Sequence, residues 1–225
     1  MFHCCFDRMD LDWSDTLKKI NQTELDILIQ DHNLYLNTIT DQIEKGQRLI
    51  LDEVDFTDND LSNLDFVETY ITSSLFKGKV FNNTNFGGAE LYDCIFKDTI
   101  FENCNLGKTA LDYAIITGSK FSNCNFISLE TYEAQFEKSS FKDCLINSAF
   151  SSCSVKDVVF EECNFVSTDF WRCVVENLKI SSKKKDLDLL RLIKEINIGT
   201  FEIPNLINVE SAIEYFKSKC MMDEI

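Results

Sequence analysis

Between Leu51 and Ile146 every fifth residue is Leu, Phe or Ile, with Thr131 the one exception, and two positions before most of them stands Ala, Cys, Ser or Thr. A period of five is neither the 3.6 of an amphipathic helix nor the 2 of a half-buried strand. Internal periodicity held through this many units outranks local propensity and predicts stacked repeats. The chain therefore divides into an N-terminal flank (1–46), a repeat region (47–180) and a C-terminal flank (181–225).

The sharpest units are Ala89-Glu90-Leu91, Cys104-Asn105-Leu106, Cys124-Asn125-Phe126, Cys163-Asn164-Phe165 and Thr168-Asp169-Phe170. They resemble the pentapeptide repeat family, whose Ala-(Asp/Asn)-Leu-x-x pattern turns the central apolar residue and the small residue before it inward. The resemblance implies a mainly β chain, a right-handed four-sided β-helix in which four pentapeptides close one coil and position n stacks on n+20.

Polar residues test that coil independently. Asn63, Asn83, Asn103 and Asn123 recur at twenty, as do Asn85, Asn105 and Asn125, and Cys104, Cys124 and Cys144. After Ile146 the apolar phase moves back by one, to Phe150, Val155, Phe160, Phe165, Phe170, Val175 and Ile180, so one corner residue is missing near Asn147. With that deletion counted, Cys163 continues the Cys144 column and Asn164 the Asn125 column.

The flanks read as helical caps. Trp13, Leu17 and Ile20 suggest a short amphipathic turn, and Leu25, Leu28, Ile29, His32 and Leu36 mark a helix. A cap on an open β-helix end covers unpaired backbone that would otherwise template aggregation. Downstream, the broad apolar face from Asp186 to Ile196 predicts a packed helix. A last helix is expected from about Asn208, with Ala212, Ile213 and Phe216 on one face. This helix pair either caps the last coil or joins two copies, as an apolar C-terminal segment does in topoisomerase-modulating members of the family.

Composition narrows the function. The net charge is −16, which argues against free nucleic acid as a ligand, since binding it needs a basic footprint. Seven of the ten cysteines fall at the small inward position, where a free thiol packs as a compact apolar residue. A stacked column points thiols in parallel rather than converging them on a metal, so no metal and no cofactor are expected. With no secretory signal ahead of the repeat, the expected compartment is the reducing cytoplasm, without membrane attachment. The only histidines, His3 and His32, lie outside the repeat, and no phosphate-binding glycine loop is present. The chain therefore reads as no enzyme.

One outward side is distinctive. Along the column Leu51, Ile71, Leu91, Leu111, Thr131, Phe150 and Phe170 it presents Tyr70, Tyr92, Tyr113, Tyr132 and Trp171 among Asp52, Glu53, Asp93, Asp112 and Glu133, with Arg172 as the only fixed positive charge expected there. Exposed tyrosines among carboxylates suit a protein-binding face, against the alternative of stacked rings that only stabilise the coil. The resemblance to quinolone-resistance members implies DNA mimicry toward gyrase or another DNA-binding enzyme. Residues 47–180 carry 21 acids and 11 bases, net −10. Over nearly seven coils at ~4.8 Å each this is roughly one net charge per 3 Å, against one per ~1.7 Å in duplex DNA. A dedicated inhibitor, such as an immunity protein that neutralises a secreted bacterial toxin, is the second expectation.

Overall fold

A computed structural model describes residues 16–40, 45–62, 64–182, 193–197, 203–208 and 220–222, together with 199, 210, 211 and 214. The repeat region is a right-handed four-sided parallel β-solenoid of about seven coils. Most strands span three residues, as in Val80–Asn82, Ile100–Glu102 and Lys120–Ser122. They pair in parallel at an offset of twenty, placing Phe81 beside Phe101 and Phe121 beside Phe141.

The missing corner residue is where the phase placed it. Across Asn147 the offset drops to nineteen, with Thr131 on Phe150, Phe136 on Val155 and Phe141 on Phe160. It returns to twenty for Phe150 on Phe170. Thr131, the exception in the apolar column, is buried, and its hydroxyl donates to the Ala149 carbonyl at 3.2 Å.

Inside, the central residues form ladders of rings. Centroids lie 5.1 Å apart from Phe81 to Phe101, 4.5 Å from Phe101 to Phe121 and 4.7 Å from Phe121 to Phe141. Offset stacking at this spacing suits the ring quadrupoles while excluding water from every rung.

Most corners turn through a left-handed residue two places after the central one. Nineteen non-glycine residues have φ between 48° and 61° there, from Glu53 to Asn177. Eight of them are Asn or Asp, the types that tolerate this region best. Ser148, where the residue is missing, is not among them.

The small inward residue does more than fill space. Its side chain donates to the carbonyl of the preceding side's central residue one coil below: Thr99 to Phe76 at 2.8 Å, Thr109 to Phe86 at 2.8 Å and Ser119 to Phe96 at 3.2 Å. The thiols do likewise, Cys94 to Ile71 at 3.2 Å, Cys124 to Phe101 at 3.5 Å and Cys173 to Phe150 at 3.1 Å. Cysteine here is a weak donor to a buried corner carbonyl as well as a packing residue.

The N-terminal cap is helix α1, Gln22–Thr38, with Asn21 accepting from the Glu24 amide at its start. Its buried residues are Leu25, Ile29 and His32. The His32 Nδ1 accepts from the Leu49 amide at 3.1 Å and its Nε2 lies 2.8 Å from the Val67 carbonyl. Both ring nitrogens thus tie the helix to the first coil. The amphipathic turn expected before it is instead a strand, Lys18–Lys19, paired with Val54–Asp55; Trp13 lies outside the described residues. Lys19 meets the buried Asp55 carboxylate at 2.6 Å, which fixes that strand on the coil edge.

The C-terminal flank differs from expectation. Residues 186–192 of the expected helix lie outside the described residues, but Ile193–Asn197 is a strand laid on Phe170–Val174. It adds to the stack and then pairs antiparallel with Leu206–Ile207. Cys220–Met222 extends another side by pairing with Leu178–Ile180. Glu210, Ser211 and Glu214 are helical, with the Asn208 side chain capping Ser211 at 3.1 Å; Ala212, Ile213 and Phe216 lie outside the described residues.

Candidate protein-binding face

The acidic and aromatic residues gather on the first side of the coil, and the register arranges them in two adjacent columns. One place after the central residue the order is Asp52, Thr72, Tyr92, Asp112, Tyr132, Ser151, Trp171; at the left-handed corner it is Glu53, Ser73, Asp93, Tyr113, Glu133, Ser152, Arg172. In three successive coils, ring and carboxylate therefore alternate along both columns and out of phase with each other. Tyr113 stands between Asp93 and Glu133, beside Asp112, and Asp112 stands between Tyr92 and Tyr132. The Tyr113 and Tyr132 rings meet edge to face at 5.7 Å and 87°. Tyr113, Tyr132 and Trp171 are exposed, whereas Tyr70 and Tyr92 are half-buried and pack together at 6.2 Å.

The backbone holds this pattern rigidly. The Tyr113 amide donates to the Tyr132 carbonyl at 2.8 Å and the Asp93 amide to the Asp112 carbonyl at 3.0 Å. Asp112 also accepts from the Tyr132 amide at 2.7 Å, so its carboxylate is partly spent within the fold. At the lower end Asp52 accepts from Thr72 at 2.5 Å. Burial pushes the Tyr92 phenol above its ordinary range, assisted by the Glu90 carboxylate, and a hydrogen bond to Glu133 does the same for Tyr132. Both phenols are accordingly neutral donors at physiological pH.

The expectation of one positive charge on this side is corrected. Arg48 lies over the Tyr70 ring at 5.9 Å, meets Glu90 at 2.8 Å and donates to the Glu68 carbonyl. Lys18 approaches Glu53 at 4.0 Å. Arg172 stacks on Trp171 at 4.7 Å. Cations therefore sit at both ends of the side, and the stretch between them, from Asp93 to Glu133, has no Lys or Arg at its outward positions. Lys18 lies outside the repeat region and Arg48 at the corner ahead of its first apolar position, Leu51, so the periodicity gave no sign that either reaches this side.

Among the described residues no three or more metal-ligating side chains come together, and no helix is long and apolar enough to cross a membrane.

The architecture defines a β-solenoid with five-residue sides. A sequence model of the pentapeptide repeat region matches residues 80–149 and again 114–186, and this chain belongs to the pentapeptide repeat proteins. Among solved structures it is similar to QnrB1, a plasmid-mediated fluoroquinolone resistance protein, at 14% identity and a TM-score of 0.35, covering 68% of this chain and 94% of that one. It is also similar to a pentapeptide repeat protein of the Arabidopsis thaliana thylakoid lumen, at 18% identity and a TM-score of 0.31, covering 64% and 83%. A third similar structure is HetL of Nostoc sp. strain PCC 7120, involved in heterocyst differentiation regulation, at 13% identity and a TM-score of 0.25, covering 72% and 69%. Among curated proteins no sequence matches this chain.

Proposed function

We propose that this chain is a non-catalytic protein-binding scaffold that engages the basic surface of a partner through its acidic and aromatic side. The observation that carries the reading is the alternation of Tyr92, Tyr113 and Tyr132 with Asp93, Asp112 and Glu133 on a rigid ladder. Carboxylates there steer a basic partner and the rings supply anchors that can be desolvated. In the DNA-mimicry form of this reading the partner is a DNA-binding enzyme such as gyrase, whose supercoiling the chain inhibits or protects.

The cations at both ends favour a second form. Arg48, which pairs with Glu90, and Arg172 confine the acidic stretch that holds no cation of its own to three coils, ~10 Å from first to last at ~4.8 Å per step, which is short for a duplex footprint. A compact epitope of that height suits a single dedicated partner, as for an immunity protein bound to a toxin.

The test is a kinetic binding assay against partners recovered by pull-down, with gyrase assayed first. Replacing Asp93, Glu133 and Glu130, which stands one place before Thr131 on the same side, by Lys slows association and flattens its salt dependence, while Tyr113→Ala speeds dissociation ~10-fold or more. Asp112 is omitted because its carboxylate also holds the Tyr132 amide. Matched changes at Lys97 and Asp98 on the second side leave both rates unchanged. Variants of the first side that bind like the parent overturn the reading.

A further inference from the structure

The first side already holds arginine of its own. Among the described residues two guanidinium groups lie over aromatic rings, Arg48 over Tyr70 at 5.9 Å and Arg172 over Trp171 at 4.7 Å, and both are on this side. Tyr70 and Glu90 are partners in the parallel ladder, the ring in one coil and the carboxylate in the next. Arg48 spans the two, its guanidinium against the ring and its Nη2 donating to the Glu90 carboxylate at 2.8 Å. The Arg48 and Glu90 side chains are 28% and 33% exposed, so this is an arrangement that solvent, and a partner, can reach.

The same relation returns twice further up. Tyr92 is followed one coil on by Asp112, and Tyr113 by Glu133, each at the offset of twenty that relates Tyr70 to Glu90. Tyr113 is exposed while Tyr92, Asp112 and Glu133 are half-buried, so the ring and the carboxylate of both pairs come to the surface. The Tyr132 amide uses the Asp112 Oδ1, not its Oδ2. Between Asp93 and Glu133 no Lys or Arg stands at an outward position of this side. Within the repeat region every outward aromatic residue is here, so no other side can pair a ring with a carboxylate in this way.

We propose that Tyr92 with Asp112, and Tyr113 with Glu133, are two seats for arginine side chains of the partner, filled in the complex as Arg48 fills the first seat within the chain. The inference rests on the reading of this side as the partner-binding face and names what that face recognises. A planar guanidinium can lie on a ring while its fork of N–H donors reaches a carboxylate one coil away. A lysine ammonium is a compact, strongly hydrated point charge that gains less from the ring.

The two seats lie one coil apart along the stack and one residue apart across it, ~6 Å from centre to centre. Arginines two places apart on an extended strand, ~6.7 Å, or three or four apart on a helix, ~5–6 Å, match that separation. The occupant is therefore a segment that presents two arginines on one face. One exposed seat binds weakly by itself, and a segment that meets both gains by making the second contact intramolecular.

The experiment is a titration of the full chain, at low ionic strength, with a short capped peptide carrying two arginines two places apart, alongside the same peptide with lysines. The parent is expected to bind the arginine peptide ~5-fold or more tightly. The Y92L/Y113L variant keeps apolar bulk but removes both rings, and it binds the two peptides equally and more weakly. E133Q weakens both peptides, since it removes a charge that either cation uses. Should the double variant fail to fold, the ring resonances of the parent serve instead: Tyr92 and Tyr113 shift further with the arginine peptide than with the lysine peptide, while Tyr35 of α1 stays fixed. Equal binding of the two peptides by the parent, an arginine preference that survives loss of both rings, or ring signals that do not discriminate overturn the inference. If equal binding is still weakened by E133Q, the arginine seats fail and the wider reading of a face for a basic partner stands. Binding of neither peptide overturns the inference and leaves the wider reading to its own partner assay.

Discussion

The ring of Phe121 lies 4.5 Å from that of Phe101 with 9° between their planes, and Phe141 stacks on its other face at 4.7 Å. Phe121 is fully buried, so its removal leaves a hole bounded by two rings that the coil spacing holds apart. Phe121→Ala is expected to cost ~3–5 kcal/mol, read as a fall in the thermal or denaturant midpoint. Lys97→Ala, on an exposed position, stays within ~0.5 kcal/mol. Equal shifts for the two would show that the inward register is wrong.

The thiols give a second test, because Cys124 donates to the Phe101 carbonyl at a position where Ser and Thr make the same bond elsewhere in the stack. Cys124→Ser keeps the donor and is expected to hold stability within ~0.5 kcal/mol, whereas Cys124→Ala leaves a buried carbonyl without its donor and costs ~1–3 kcal/mol. Burial pushes the Cys94 thiol up to about 12. Thiolate is therefore scarce there at neutral pH, and a thiol-specific reagent should label Cys94 only after denaturation. Rapid labelling of the native protein at Cys94 would contradict this.

Lys108 holds φ at 60° on an exposed corner. A β-branched side chain is a poor fit to that region, so Lys108→Val is expected to cost ~1–2 kcal/mol, while Lys108→Gly is neutral or stabilising. Chemical denaturation of both variants separates corner strain from loss of the lysine itself.

The His32 ring gives the stability a pH dependence. Burial, with Arg48 contributing, lowers its pKa below 6.5, although the Val67 carbonyl and Asp65 pull the other way. A lowered folded value means that the unfolded chain takes up the proton first. The stability contribution is complete above ~6.5 and is lost progressively as pH falls from there toward the folded value. Protonation also removes the acceptor that Nδ1 offers the Leu49 amide. Denaturant midpoints for parent and His32→Gln, measured from about pH 7.5 to about pH 5.5, should diverge in the parent's disfavour as pH falls. Parallel curves would mean that His32 does not titrate on unfolding.

The solenoid was legible in the sequence because each central residue has one environment, repeated. Even the deletion near Asn147 could be placed, since Phe150 and its successors keep their own phase. Ile193–Asn197 was not legible: its Leu- and Ile-rich approach fits a broad helical face as well as a strand, and the edge that captures it, Phe170–Val174, is not visible locally. On the candidate face, Tyr92, Tyr113 and Tyr132 could be assigned to a side by counting. The out-of-phase alternation needed the corner geometry, and Arg48 needed the fold itself, because it reaches Tyr70 and Glu90 from the corner ahead of Leu51. The asparagine columns were visible as a recurrence, but whether each side-chain oxygen finds a partner depends on where the amide two places on is spent: Gly87 and Gly107 give theirs to Asn85 and Asn105, while Val166 gives its own to the Ile146 carbonyl and the buried Asn164 oxygen has none among the described residues.

The missing residue beside Asn147 shows that this chain has something like a reading frame. A loss at a corner shortens one lap from twenty residues to nineteen, and every later lap stays in step. The same loss inside a strand such as Phe141's would turn each downstream inward ring to solvent and each downstream lysine to the core. Gains and losses of single residues are therefore confined to the corners, and whole laps are the unit by which the stack can lengthen while every downstream side chain keeps its facing.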